Sequence, residues 1–155
     1  MGRIVNASRR AVVLAALAGL VGCGSGVYPV KGKVYFDGKP MAGGGAISFV
    51  PLGNQAGKAA GGEIAPDGSF ELMTNKPGDG SMPGEFRVVV TQVTVTEPER
   101  TEDGTRPASP TAVVPVADRI PAVYGDAYAS PLRAVVQATG PNEVDVKMDR
   151  NPPKK

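Results

Sequence analysis

The sequence predicts an all-β sandwich, and three observations carry that reading. Glycine (21) and proline (15) are abundant and fall between short runs of Val, Ile, Phe and Thr, which is how short strands joined by turns are punctuated. Several of these runs alternate apolar and polar residues with a period of two, so one strand face enters a core and the other meets water. No helical period is visible after residue 22. With 155 residues, 41% of them hydrophobic, the chain suits one modest core and not two.

Residues 28–149 carry the strand pattern. In residues 30–37, Val30, Gly32, Val34 and Phe36 share one face while Lys31, Lys33, Tyr35 and Asp37 share the other, the signature of a half-buried strand. Asp37-Gly38-Lys39-Pro40 reads as a turn, because glycine tolerates positive φ and aspartate bonds nearby backbone. A second strand is expected at 46–50. After a polar stretch, a short strand at 61–65 turns through Pro66-Asp67-Gly68 into 69–74, where Phe70 and Leu72 face away from Glu71 and Met73. The longest run, 85–95, is apolar on both faces around Val88, Val89 and Val90, as in a central strand. Residues 97–119, charged and with four prolines, read as a mobile loop because they exceed ordinary connections. A strand at 132–137, a turn at Gly140-Pro141-Asn142 and a closing strand with Val144, Val146 and Met148 on one face complete the domain. Residues 150–155 read as a disordered tail.

The segment before the domain has its own logic. Arg3, Arg9 and Arg10 precede an apolar stretch at 11–21 that ends in small residues, the layout of a secretory signal peptide at 1–22. As a helix the apolar stretch reaches about 16 Å, against a bilayer core of about 30 Å, too short for a permanent anchor. Leu20-Val21-Gly22-Cys23 resembles the lipobox of bacterial lipoproteins. The resemblance implies cleavage between Gly22 and Cys23 and a diacylglycerol thioether on Cys23, with further acylation by a fatty acid such as palmitate. Residues 23–27 would then be the lipidated cysteine and a short tether. Two or three acyl chains anchor stably where one does not. Gly24 after the cysteine, in place of Asp, favours by the same analogy an outer-membrane or periplasmic-face destination in the cell envelope.

Composition excludes much chemistry. Histidine is absent and cysteine occurs once, so neither a zinc site of nitrogen and sulfur ligands nor a histidine-dependent nucleophile can be assembled, and no intrachain disulfide can form. The 17 basic residues less the three arginines of the leader leave 14 against 15 acidic ones, a near-neutral chain without the basic stripe that nucleic acid requires. Asp67 and Asp79, in glycine-containing turns, could offer oxygens to calcium or simply close those turns. Tyr124 and Tyr128 could stack on a glycan or polypeptide partner or cap the sheet edge. No enzyme, metal or cofactor is expected.

Taken in order, Val30-Lys31-Gly32-Lys33-Val34, Asp37-Gly38-Lys39-Pro40, Asp67-Gly68-Ser69-Phe70, Lys76-Pro77-Gly78-Asp79-Gly80, Pro83-Gly84-Glu85-Phe86-Arg87-Val88 and Ile120-Pro121-Ala122-Val123-Tyr124 resemble the carboxypeptidase-regulatory-like, or transthyretin-like, domains of bacterial lipoproteins. The resemblance implies a seven- to eight-stranded antiparallel β-sandwich of the prealbumin type, accessory to something else and without catalysis of its own. Two functions follow as expectations: a membrane-anchored binding or scaffolding module with an envelope protein or wall partner, or a small-ligand carrier of the transthyretin type. The lipid expectation has a direct check: Cys23→Ser should abolish lipid labelling and release or stall the protein, and mass spectrometry of the native N-terminus showing an unmodified Cys23 contradicts it.

Overall fold

Alternation and turn chemistry produce the strands in the computed structural model, which describes residues 26–55, 57–96 and 112–153. Strand β1 (Val30–Phe36) returns through Asp37-Gly38 into β2 (Lys39–Pro40). Both turn residues have positive φ, 47° and 77°, as a two-residue hairpin requires. There follow β3 (Gly45–Pro51), β4 (Ala60–Ile64), β5 (Ser69–Glu71) and the long β6 (Gly84–Gln92). A minor ribbon of β7 (Val95–Thr96) and β8 (Ala112–Val113) leads to 3₁₀ turns at Val116–Asp118 and Ala122–Gly125. Strands β9 (Arg133–Val136), β10 (Asn142–Glu143) and β11 (Val146–Met148) close the domain.

The main sheet has nine strands in the order β10-β1-β5-β4-β3-β6-β9, with β11 and β2 also on β1. It curls around one core, to which Phe49, Ile47, Phe86, Val88, Ile64, Leu72 and Val34 each contribute a fully buried side chain. Phe49 holds the centre, its ring 5.8 Å from that of Phe86 and 6.4 Å from that of Phe70 in tilted contacts, a geometry that suits the ring quadrupoles. Of the apolar side chains expected to face the core, Val34, Phe36, Ile47, Phe49, Phe70, Leu72, Val88, Val90 and Val146 are buried, whereas Val144 only packs against the cluster.

The antiparallel expectation holds from β5 across to β9, but β1 pairs with β10 and β11 in parallel. The chain reverses at each connection between β1, β3, β4, β5, β6, β9 and the final strand, which makes the last of these the seventh. First and seventh therefore run the same way, and laying the end of the chain beside its beginning gives a parallel pair. The register of β10 (Val30↔Asn142) and that of β11 (Val34↔Val146) share one offset, so the two are a single strand interrupted at Val144 and Asp145. At that point the strand bows over Gly32, where a Cβ would overlap the Val144 carbonyl oxygen.

Two boundaries differ from expectation. Residues 112–119 are not a loop without structure, while 97–111 lie outside the described residues. Gln92, at the end of β6, donates its amide to the Asp118 carbonyl at 3.0 Å and to the Ala42 carbonyl at 2.8 Å, and accepts from the Ile120 amide at 3.0 Å. Val114 is buried beside Gly43, which has no Cβ to collide with it. Of the four prolines that suggested a loop, Pro115 lies among the described residues and is the N-cap of the first 3₁₀ turn; Pro121, just beyond the stretch, caps the second. Arg150 is likewise no tail residue. Its guanidinium donates twice to Asp37 Oδ2, at 2.8 and 3.0 Å, and lies 5.4 Å from the centroid of the Phe36 ring.

Strand directions define two poles. Gly26 enters beside the bridge between Tyr28 and Ser81, at the end that also holds the connections 52–59, 72–83 and 137–141. The opposite pole holds the Asp37-Gly38 turn, the turn after β4, the β7–β8 ribbon and Arg150. Gly32→Ala should destabilise the domain by about 1–3 kcal/mol or more, because the new methyl meets backbone instead of a movable side chain. Urea unfolding measures this, and an unchanged midpoint would show that β10–β11 does not press on β1.

Candidate functional site

The two tyrosines expected at a partner surface separate completely. Tyr124 is 2% exposed, so its expected availability to a partner is corrected: the ring belongs to the core. The 3₁₀ turn after Pro121 aims it inward, where its hydroxyl donates to the Asp149 carbonyl and accepts from the Asp149 amide, both at 2.9 Å. It thus tethers the end of β11, satisfying a buried hydroxyl as burial demands. Tyr128 is 86% exposed. Asp126 accepts the amides of Tyr128 and Ala129, at 2.6 and 2.9 Å, and so holds this corner. Gly22 and Cys23 lie outside the described residues.

The turn aspartates are occupied by backbone. Asp67 Oδ1 accepts the Ser69 hydroxyl at 2.6 Å and the Ser69 amide at 2.9 Å. These bonds, the hydroxyl first, hold its carboxyl below the usual range, with Lys33 at 3.6 Å assisting. Asp79 accepts the Thr74 amide at 2.7 Å on one oxygen and the Asn75 and Lys76 amides at 3.0 Å on the other. The Thr74 amide is the main reason its carboxyl also titrates low. Among the described residues no three His, Cys, Asp or Glu side chains converge as a metal site would need.

Outside the core, the molecule offers shallow recesses on the outer face of β1, lined by charged and polar groups including Lys31, Lys33, Tyr35, Glu71 and Asp145. A second surface lies on the outer face of β6 and β9. Arg87 and Arg133 stand directly opposite each other across that strand pair. Arg87 donates to the Ala127 carbonyl at 2.7 Å, next to exposed Tyr128, while its buried Nε has no partner among the described residues. Arg133 donates to the carbonyls of Ser130 and Leu132 at 2.9 and 2.8 Å. Val135, 56% exposed, continues the row. Tyrosine, arginine and an exposed β-branched residue on one face form an interface-like composition. Tyr128 was legible in the sequence; the arginines were not. Arg87 sits in a run read as apolar on both faces, and Val135-Val136 conceals which residue points outward.

The Asp79 cap has a sign that can be tested. Its folded pKa is depressed below 3.8, so its contribution is fully present above that ordinary value and is lost as pH falls through the folded one. The amide proton shifts of Thr74, Asn75 and Lys76 should titrate together with a midpoint below 3.8, and Asp79→Asn should remove that titration. A midpoint at or above the ordinary value contradicts the capping role.

No family model matches this chain, and no curated protein matches it. Among solved structures it is similar to a DUF3823 family protein from Bacteroides ovatus, with 16% identity and a TM-score of 0.38 over 79% of this chain and 44% of that one. It is also similar to a DUF3823 family protein from Parabacteroides merdae, with 11% identity and a TM-score of 0.40 over 78% of this chain and 45% of that one. The chain spans less than half the length of either structure.

Proposed function

We propose that this chain is a membrane-tethered, non-enzymatic binding or scaffolding module of the bacterial cell envelope, its curled sheet being a prealbumin-like sandwich of the carboxypeptidase-regulatory type. The observation that carries the reading is polarity along the molecule. The chain enters at the pole bearing the connections 52–59, 72–83 and 137–141, and Cys23 lies three residues before Gly26. Three residues span about 10 Å at most, so a lipid on Cys23 holds this pole against the bilayer. The opposite pole, from which the segment 97–111 leaves and to which it returns, is then presented outward, together with the Tyr128 corner on the flank.

The surface supports binding over catalysis or carriage. The aspartates in the turns are engaged by backbone amides, which uses the groups that acid–base or calcium chemistry would need. A carrier of apolar ligands requires a concave apolar pocket, whereas the recesses on β1 are open to solvent and mix Lys31, Glu63 and Glu71 with Ala65 and Phe70.

Limited trypsin digestion of the lipidated chain on intact vesicles tests the orientation. Cleavage of the Arg100–Thr101 bond should be fast and cleavage after exposed Lys58, in the connection 52–59 of the entry pole, slow, with the difference vanishing in detergent. Rapid cutting at Lys58 on vesicles would mean that the entry pole does not face the membrane.

A further inference from the structure

The strand order ends at β9 on one side and at β10 on the other, and both ends present open backbone. The Val88 amide donates to the Leu132 carbonyl, so residues 132, 134 and 136 turn toward β6, while Arg133 and Val135 turn their amides and carbonyls outward. At the other end, the Asn142 and Val144 amides donate to the Pro29 and Lys31 carbonyls, and the Met148 carbonyl accepts from the Asp37 amide. Even-numbered residues therefore face β1, and Glu143, Asp145 and Lys147 face away. No strand pairs with either outward row among the described residues.

These two edges lie on the same side of the molecule, because a short turn joins them. The Asn142 side chain clamps that turn, accepting from the Gln137 amide at 2.8 Å and donating to the Gln137 carbonyl at 3.2 Å. The edges also differ in charge. Arg133, with Arg87 beside it, marks β9, whereas exposed Glu143 and Asp145 mark the part of β10–β11 level with it, with Lys147 farther along the row. Neither set is engaged in an ion pair among the described residues.

We infer that the chain pairs with a second copy of itself through this open side, β9 of each copy adding to the β10–β11 edge of the other. A twofold axis parallel to the strands produces that arrangement. It carries each edge onto its unlike counterpart and keeps every strand's direction, so descending β9 meets ascending β10–β11 as an antiparallel pair. Levels agree as well: since Gln137 stands level with Asn142, Arg133 comes within one residue of Asp145 of the second copy, and Val135 within one residue of Glu143. Pairing β9 with β9 is the alternative, and it requires an axis across the strands. That would invert one copy and send the two tethers to opposite ends, which two chains anchored in one leaflet cannot satisfy. The inference rests in this respect on the tethered-module reading; confinement to a membrane also raises the effective concentration of one copy near another.

The test uses the lipidated chain reconstituted in phosphatidylethanolamine–phosphatidylglycerol vesicles. The chain has a single cysteine, occupied by lipid, so introduced thiols report alone. Val135→Cys and Glu143→Cys chains, mixed and mildly oxidised, should give about tenfold more disulfide dimer than either chain by itself, as facing strands bring Cα atoms within disulfide reach. Arg133→Glu should lower that yield about tenfold, and combining it with Asp145→Arg should restore it, since the charge pair is only exchanged. Dimer from Val135→Cys alone would overturn the arrangement in favour of β9 on β9. No dimer in the mixture overturns it, as does capture of a different envelope protein by the same thiols in native membranes with none of the second copy. Lipid labelling of Cys23 reads the tether independently, so an unlipidated chain and a lipidated monomer are distinct results.

Discussion

The fold depends on the contact between the start of the domain and its end, where β10–β11 lies along β1 and bows over Gly32. Strand β1 pairs on one side with β5 and β2 and on the other with β10 and β11, so it is the element through which the two halves of the curled sheet communicate. Its Val30, Val34 and Phe36 reach the core, and the parallel ladder brings Val146 and Met148 against them. Two further attachments hold the terminal strand at its far end. Tyr124 bonds the Asp149 backbone in both directions, and Asp37 receives the backbone amide and the guanidinium of Arg150. The Asp37 carboxyl is held low chiefly by that guanidinium, although a solvent-exposed pair of this kind adds little stability by itself. Its value is positional, since it ties the β1–β2 hairpin to the residue that follows β11.

Period-two patterning placed several main strands to within a residue or two, as at 46–50 against Gly45–Pro51 and 61–65 against Ala60–Ile64, but ran three residues past the ends of β5 and β6, expected at 69–74 and 85–95 and found at Ser69–Glu71 and Gly84–Gln92. Turn chemistry was equally readable, because Asp37-Gly38 and Asp67-Gly68 carry their conformations in their residue types. What escaped was set by tertiary contact. Nothing local says that Gly32 is small because a carbonyl from the other end of the chain lies against it. Nothing local says that Tyr124, between Val123 and Gly125, will be among the most buried side chains. The 112–119 stretch was misread because its order comes from Gln92 and from the space left by Gly43, partners distant in sequence. Of the candidate surface, Tyr128 was visible and the Arg87–Arg133 row was not, since register decides which arginines meet.

The hydrogen-bond economy of the turns explains why acidic residues cluster there without forming a site. Asp79 alone holds three backbone amides, work that a helix cap does elsewhere, and it rigidifies a glycine-rich connection that would otherwise be loose. At the entry pole such rigidity fixes the connection 72–83 beside the bridge between Tyr28 and Ser81.

The pairing of β1 with β10–β11 joins residues at opposite ends of the domain, which gives the topology a high contact order. Loop closure over nearly the whole chain must precede the reward from those contacts, so assembly of the sheet is slow. A chain that emerges N-terminus first holds β1 without its parallel partner until its last residues are free. A truncation that removes β11 leaves Phe36 and Tyr124 uncovered and exposes the hub strand as an unpaired edge, open to aggregation.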